Sequence, residues 1–94
     1  MSKGQLRMID AAADRDKANL RKAKEELNQA KASIEKLRGT ASGMQGKTGT
    51  AIVEKSKQLA DTLNELNENL DQTITIINKI VQQVHEDDRK AAKL

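Results

Sequence analysis

Residues Gly39–Thr50 read GTASGMQGKTGT and hold four of the five glycines in a 94-residue chain. Three uses fit a glycine every three or four residues: a phosphate cradle, a flexible linker, or the bend of a hairpin. Gly46-Lys47-Thr48 has the tail of a phosphate-binding loop. That loop needs a further glycine five positions earlier and a buried strand before it. Here the fifth position back is Ala41, and the preceding residues have helical periodicity. A free linker is also disfavoured, because apolar repeats run up to both edges of the stretch. What remains is a bend: helix one continues weakly to about Met44 and the chain reverses over Gln45 to Gly49. Glycine supplies the positive φ angles and close backbone approach that a reversal requires.

Stepping alternately three and four residues from Leu6 gives Leu6, Ile9, Ala13, Asp16, Leu20, Ala23, Leu27, Ala30, Ile34, Leu37, Ala41 and Met44. All are apolar but Asp16, a charge either solvated at a hairpin end or fixing register against a partner. The second half repeats the pattern as Ile52, Ser56, Leu59, Leu63, Leu66, Leu70, Thr73, Ile77, Ile80, Val84, Asp87, Ala91 and Leu94, with only Ser56, Thr73 and Asp87 polar. A repeat of 3.5 residues sustained this long predicts a helix packed along its length on another. The expected helices cover residues 5–38 (or to about 44) and 50–90, joined by a Gly-rich turn at 39–50, with Thr48 or Thr50 as N-cap of the second. At 1.5 Å per residue each is roughly 50 to 60 Å long. Similar lengths and a short joint predict an all-α, antiparallel two-helix hairpin over 1–94, part of a four-helix bundle with a partner.

Composition agrees. There is no Phe, Trp, Tyr or Pro, 36% of residues are hydrophobic and 33% are charged, which is the profile of long helices. The absence of aromatics argues against single-strand nucleic-acid binding, which relies on stacking. Residues 1–47 carry eleven basic and six acidic side chains, net +5, and residues 48–94 carry six and eight, net −2. Acidic residues interleave with the lysines of helix one, so a nucleic-acid groove is not expected there. Cysteine is absent, so no disulfide framework or thiolate metal site is expected. No apolar run near the N-terminus is long enough for a signal peptide, and none approaches a membrane span.

Catalysis is not expected. His85 lies beside Glu86, Asp87 and Asp88, but adjacent helical positions point in different directions, and no second His, Cys or nucleophile–base pair accompanies them. The reading assigns no catalytic, cofactor or metal residue. In TITIINKIVQQV the residues Ile74, Ile76, Ile77, Ile80, Val81 and Val84 form a stripe wider than one seam requires. A two-helix hairpin cannot cover both sides of it, so these six are the candidate partner-binding residues. The alternative reading is a self-assembling structural coiled coil with no client.

Met44-Gln45-Gly46 followed by Lys47-Thr48-Gly49-Thr50-Ala51-Ile52 resembles the turn of the WXG-motif (early secreted antigen-like) family, with Met44 in place of the tryptophan. Val84 to Asp88 resembles that family's export signal near the end of helix two, with Val84 in place of the aromatic residue and Asp88 as the acid. With these departures the chain is most similar to the small helical partner proteins of LXG polymorphic toxins of type VII secretion. The resemblance implies a hairpin fold and a turn motif at Met44, Gly46 and Gly49. It also implies an export-signal-like pair at Val84 and Asp88, and a helical partner that is an LXG-like toxin domain or a second small hairpin. It further implies a cytoplasmic protein with signal-peptide-independent export through the secretion machinery, without membrane insertion.

Overall fold

The computed structural model describes Met1–Met44 and Gly46–Lys93. Gln45, expected in the turn, and Leu94, expected to end the second seam, lie outside the described residues. The chain is an all-α helical hairpin of α1 (Lys3–Ser42) and α2 (Lys47–Ala92). α1 ends within the range expected for it, between residue 38 and about 44, while α2 starts three residues before the expected 50, leaving residues 43–46 between them. Gly39 lies inside α1 and Gly49 in the first turn of α2.

The helix ends follow from local chemistry. At the start of α1, Gln5 N donates to Ser2 Oγ at 3.1 Å and Ser2 N donates to Gln5 Oε1 at 2.9 Å. This reciprocal capping box satisfies donors that have no partner within the helix. The last turn of α1 tightens, with Gly43 N and Met44 N donating to the carbonyls of Thr40 and Ala41 at 3.2 and 3.0 Å. Gly46 then takes φ of +95°, the one positive φ among the described residues, and its carbonyl accepts from Thr50 N at 3.4 Å. Gly46, not Thr48 or Thr50, is therefore the N-cap of α2. Thr50 is already helical, and its hydroxyl also faces the Gly46 carbonyl, at 3.4 Å.

The chain forms two compact units. One comprises Met1–Lys22 with Leu70–Leu94, and the other Ala23–Asn69. In the first, α1 and α2 are linked by Lys17 Nζ donating to Asn78 Oδ1 at 2.9 Å and by His85 Nε2 lying 2.8 Å from Asp10 Oδ1. The second is the turn-proximal unit. It is linked by Lys31 Nζ donating to Asn64 Oδ1 at 2.7 Å and Asn67 Nδ2 donating to Asn28 Oδ1 at 3.3 Å.

Burial corrects the phase of both seams. In α1 the residues withdrawn from solvent at strict four-three spacing are Leu6, Asp10, Ala13, Lys17, Leu20, Lys24, Leu27, Lys31, Ile34, Arg38 and Ala41. In α2 they are Gly49, Val53, Ser56, Ala60, Leu63, Asn67, Leu70, Ile74, Ile77, Val81, Val84 and Asp88. With Leu6 and Gly49 as heptad d positions, Asp10 and Val53 are a positions. The sequence-based seams thus combine true d positions with g positions. Of the expected α1 members, Asp16, Ala30 and Leu37 are exposed, as is Met44 beyond the helix end, while Ile9 and Ala23 are half-buried. In α2 Leu59, Leu66, Thr73, Ile80, Asp87 and Ala91 are exposed and Ile52 is half-buried. Asp16 is no seam charge; the seam charges of α1 are its five a residues.

The lysines tolerate the seam because their aliphatic stems can cover apolar neighbours while the ammonium reaches out to a polar partner. Near the turn, small seam residues let the helices approach closely: Ala41 is 2% exposed, Ser56 5% and Ala60 7%. A Cβ added at Gly49 would lie 2.7 Å from the Met44 carbonyl oxygen and 3.0 Å from that of Ala41, whereas one at Gly39 would meet nothing within 4 Å.

The three glycines should therefore respond differently in urea unfolding. Gly39→Ala should raise stability by about 0.5–1 kcal/mol through helix propensity. Gly46→Val should lower it by about 1–3 kcal/mol through backbone strain. Gly49→Ala should lower it by about 1–3 kcal/mol through overpacking against backbone. Equal tolerance at the three sites would contradict this turn.

Candidate partner-binding faces

The six residues expected to bind a partner all lie in the unit of Met1–Lys22 and Leu70–Leu94, and the structure divides them. Ile74, Ile77, Val81 and Val84 occupy a and d positions and are half-buried. They form the hairpin's own seam. Ile76 and Ile80 are 54% and 56% exposed. Spaced i, i+4, they share one outward ridge of α2. The stripe is wider than the hairpin uses, as its sequence suggests, but its free part is this pair.

The export-signal-like pair also lies toward the seam. Val84 is half-buried, and Asp88 Oδ1 is 3.3 Å from the N-terminal amine of Met1. His85 faces Asp10, while Asp87 Oδ1 accepts from Gln83 Nε2 at 2.9 Å. Three of the four ionisable residues of this run, His85, Asp87 and Asp88, thereby have different partners. Among the described residues no group of three or more His, Cys, Asp or Glu could hold a metal ion. Among them too, no helix is long and apolar enough to cross a membrane.

Comparison with protein-family models, curated proteins and solved structures found no significant match.

The turn-proximal unit carries a second apolar feature that sequence reasoning assigned to the seam. A groove of about 550 Å³ is lined by Ile34, Leu37, Thr48, Ala51, Ile52, Ser56 and Leu59, with Lys47 and Lys55 also contributing. Leu37 is 53% exposed, Leu59 50%, Leu66 45% and Met44 46%. Leu37, Ile52, Leu59 and Leu66 are g positions, and Met44 continues the g series beyond the end of α1. In an antiparallel pair the g positions of both helices fall on the same side, which is why Leu37 meets Ile52 and Leu59 in one groove. Of the expected turn motif, Met44 is exposed, Gly46 takes the positive φ of the reversal and Gly49 is buried.

The opposite side, formed by e positions, is polar. Lys31 reaches Asn64 there, and Asn28 accepts from Asn67. Asn67 occupies an a position, and its Oδ1 is buried with no hydrogen-bond partner. A buried acceptor left unsatisfied costs about 1–3 kcal/mol. Asn67→Leu should accordingly raise the urea midpoint and add about 1–2 kcal/mol of stability. A loss of stability would mean that this amide is satisfied in solution.

Proposed function

We propose that the chain is a non-enzymatic helical partner protein. It binds the helical domain of an LXG-like toxin, or a sister hairpin, and supports that client's stability and its export by a type VII route. The observation that carries the reading is the exposure of Ile76 and Ile80 beside four isoleucine and valine residues already used by the hairpin. Burying one such side chain fully contributes about 1.5–3 kcal/mol, so two on one ridge offer a helical client a useful anchor. The ridge suits a helix-in-groove or helix-on-helix contact, which needs apolar side chains at i, i+4 spacing. The resemblance of Met44-Gln45-Gly46 and Val84 to Asp88 to the WXG turn and export signal supports the choice of client.

Co-expression with the open reading frames that neighbour this chain's own should recover an LXG-like helical domain in a complex that co-purifies at fixed stoichiometry. Ile76→Asp combined with Ile80→Asp should abolish that complex while leaving helicity by circular dichroism unchanged. Undiminished co-purification of the double variant would refute the assignment of the ridge.

A further inference from the structure

We propose that the hairpin is a two-register device. α1 can move along α2 by one heptad, and two carboxylates at the open end, Asp10 and Asp88, latch it in the register of this structure.

The polar links between the helices repeat with the heptad. In Lys17–Asn78 and Asp10–His85 of the unit of Met1–Lys22 and Leu70–Leu94, the residue numbers sum to 95, as they do in Lys31–Asn64 of the turn-proximal unit. Lysine recurs on α1 at 17, 24 and 31, and an oxygen acceptor recurs on α2 at Asn64, Asp71 and Asn78. A lysine head displaced by seven residues therefore meets another acceptor. These links fix which face of α1 meets α2, but they fix its level only to within a heptad.

Charge closes one of the two directions. Moving α1 one heptad toward the start of α2 sets Lys31 against Lys57 in the turn-proximal unit, and like charges repel. Moving it toward the end of α2 sets Arg38 against Asn64 and Lys17 against His85, whose ring nitrogen can accept. Asn67 passes from Asn28 to the carboxylate of Glu35. In antiparallel heptads an a residue faces a d residue of the other helix, so Leu20 passes from Ile74 to Val81, Ala41 from Val53 to Ala60 and Ile34 from Ala60 to Asn67. Two acidic residues oppose this move. Asp10 would leave His85, 2.8 Å away, for Ala92, and Asp88 would leave the Met1 amine, 3.3 Å away, for the level of Asp14.

The glycine stretch fits both registers. A heptad moved across the hairpin shifts the reversal by half that length, three to four residues along the chain. Gly46 carries the positive φ here, and Gly49 stands three residues further on, with Thr50 directly after it as an N-cap by residue type. The move also rebuilds the apolar groove: Leu37, which shares it with Ile52 and Leu59, would share it with Leu59 and Leu66. A ligand that preferred either groove would bias the register.

The chain has no cysteine, so a pair of introduced thiols reports the level. Leu20→Cys with Ile74→Cys should close an intramolecular disulfide in the parent. Leu20→Cys with Val81→Cys should not, since residue 81 lies about 10 Å further along α2. His85→Asp with Asp88→Ala sets a carboxylate against Asp10 in the first register and against Lys17 in the second, and removes the clash with Asp14. It should raise the yield of the 20–81 disulfide by about 10-fold at the expense of the 20–74 disulfide, with helicity by circular dichroism unchanged. Adding Asp10→Lys restores an attraction in the first register and should return both yields to those of the parent. Equal yields in the parent, a 20–81 disulfide unmoved by the unlatching pair, its persistence after Asp10→Lys, or loss of helicity in place of the shift would overturn the proposal.

Discussion

Four lysines and arginines, with Asp10, occupy the a positions of α1, where a self-sufficient helix pair would place Leu or Ile. Each long cation needs a path along which its stem stays covered while its head finds an acceptor. Asn78 and Asn64 of α2 supply acceptors at e positions for Lys17 and Lys31. Asp10 uses the same side in the opposite sense, facing His85. Once those side chains are committed to the e side, the remaining apolar series of both helices fall on the g side. The two-faced character of the hairpin thus follows from where a lysine head can reach, more than from where leucine is most abundant.

The consequence is a thin interior. Among the described residues the buried apolar ones are Ala13, Ala41 and Ala60, Ser56 is the buried polar one, and no large side chain is fully buried. Alanine contributes little transfer free energy, and the larger seam residues Leu20, Leu27, Ile34, Leu63, Leu70 and Ile77 are only half-covered. The helices hold together through many partial contacts and a few polar links that fix register. Asn67, with one amide hydrogen bond and one unsatisfied oxygen, belongs with these links: a buried amide weakens a seam but penalises every alternative alignment. Gly49 acts similarly at the turn, where the absence of a side chain lets the Met44 and Ala41 carbonyls approach.

Helix number, order and the site of reversal were legible in the sequence because periodicity of 3.5 residues and a glycine cluster are strong local signals. The phase of the seam was not. Stepping three then four from Leu6 collects Ile9, Ala23, Ala30 and Leu37; stepping four then three collects Asp10, Lys17, Lys24 and Lys31. A search that maximises apolar residues prefers the first, and the structure uses the second. Hydrophobicity counts treat lysine as wholly polar, although its four methylenes can line a seam when an acceptor stands at the right height. That acceptor comes from the other helix, so no window on α1 alone reveals it. The same phase hides the groove, since it puts Leu37, Ile52 and Leu59 inside the hairpin. The capping box Ser2-Lys3-Gly4-Gln5, by contrast, is a purely local pattern that the sequence displays.

Three heptad series compete for burial in this chain, and a two-helix contact can cover only two of them. Series a and d are covered by the hairpin, whereas the g residues Ala30, Leu37, Leu59, Leu66 and Ile80 are left exposed and only Ile9, Ala23 and Ile52 of that series are half-buried. Rotating α1 to bury Ile9, Ala23, Ala30 and Leu37 would expel the lysines from their asparagine acceptors and still leave the a residues Val53, Ile74 and Val81 of α2 to be matched. No rotation of one helix on the other satisfies all three series at once, because they span about 120° of each helix surface. Only a surface added on the g side would cover the third series while leaving a, d and their polar links as they are. The apolar pattern is therefore wider than one helix–helix contact covers, and the hairpin covers its a and d part.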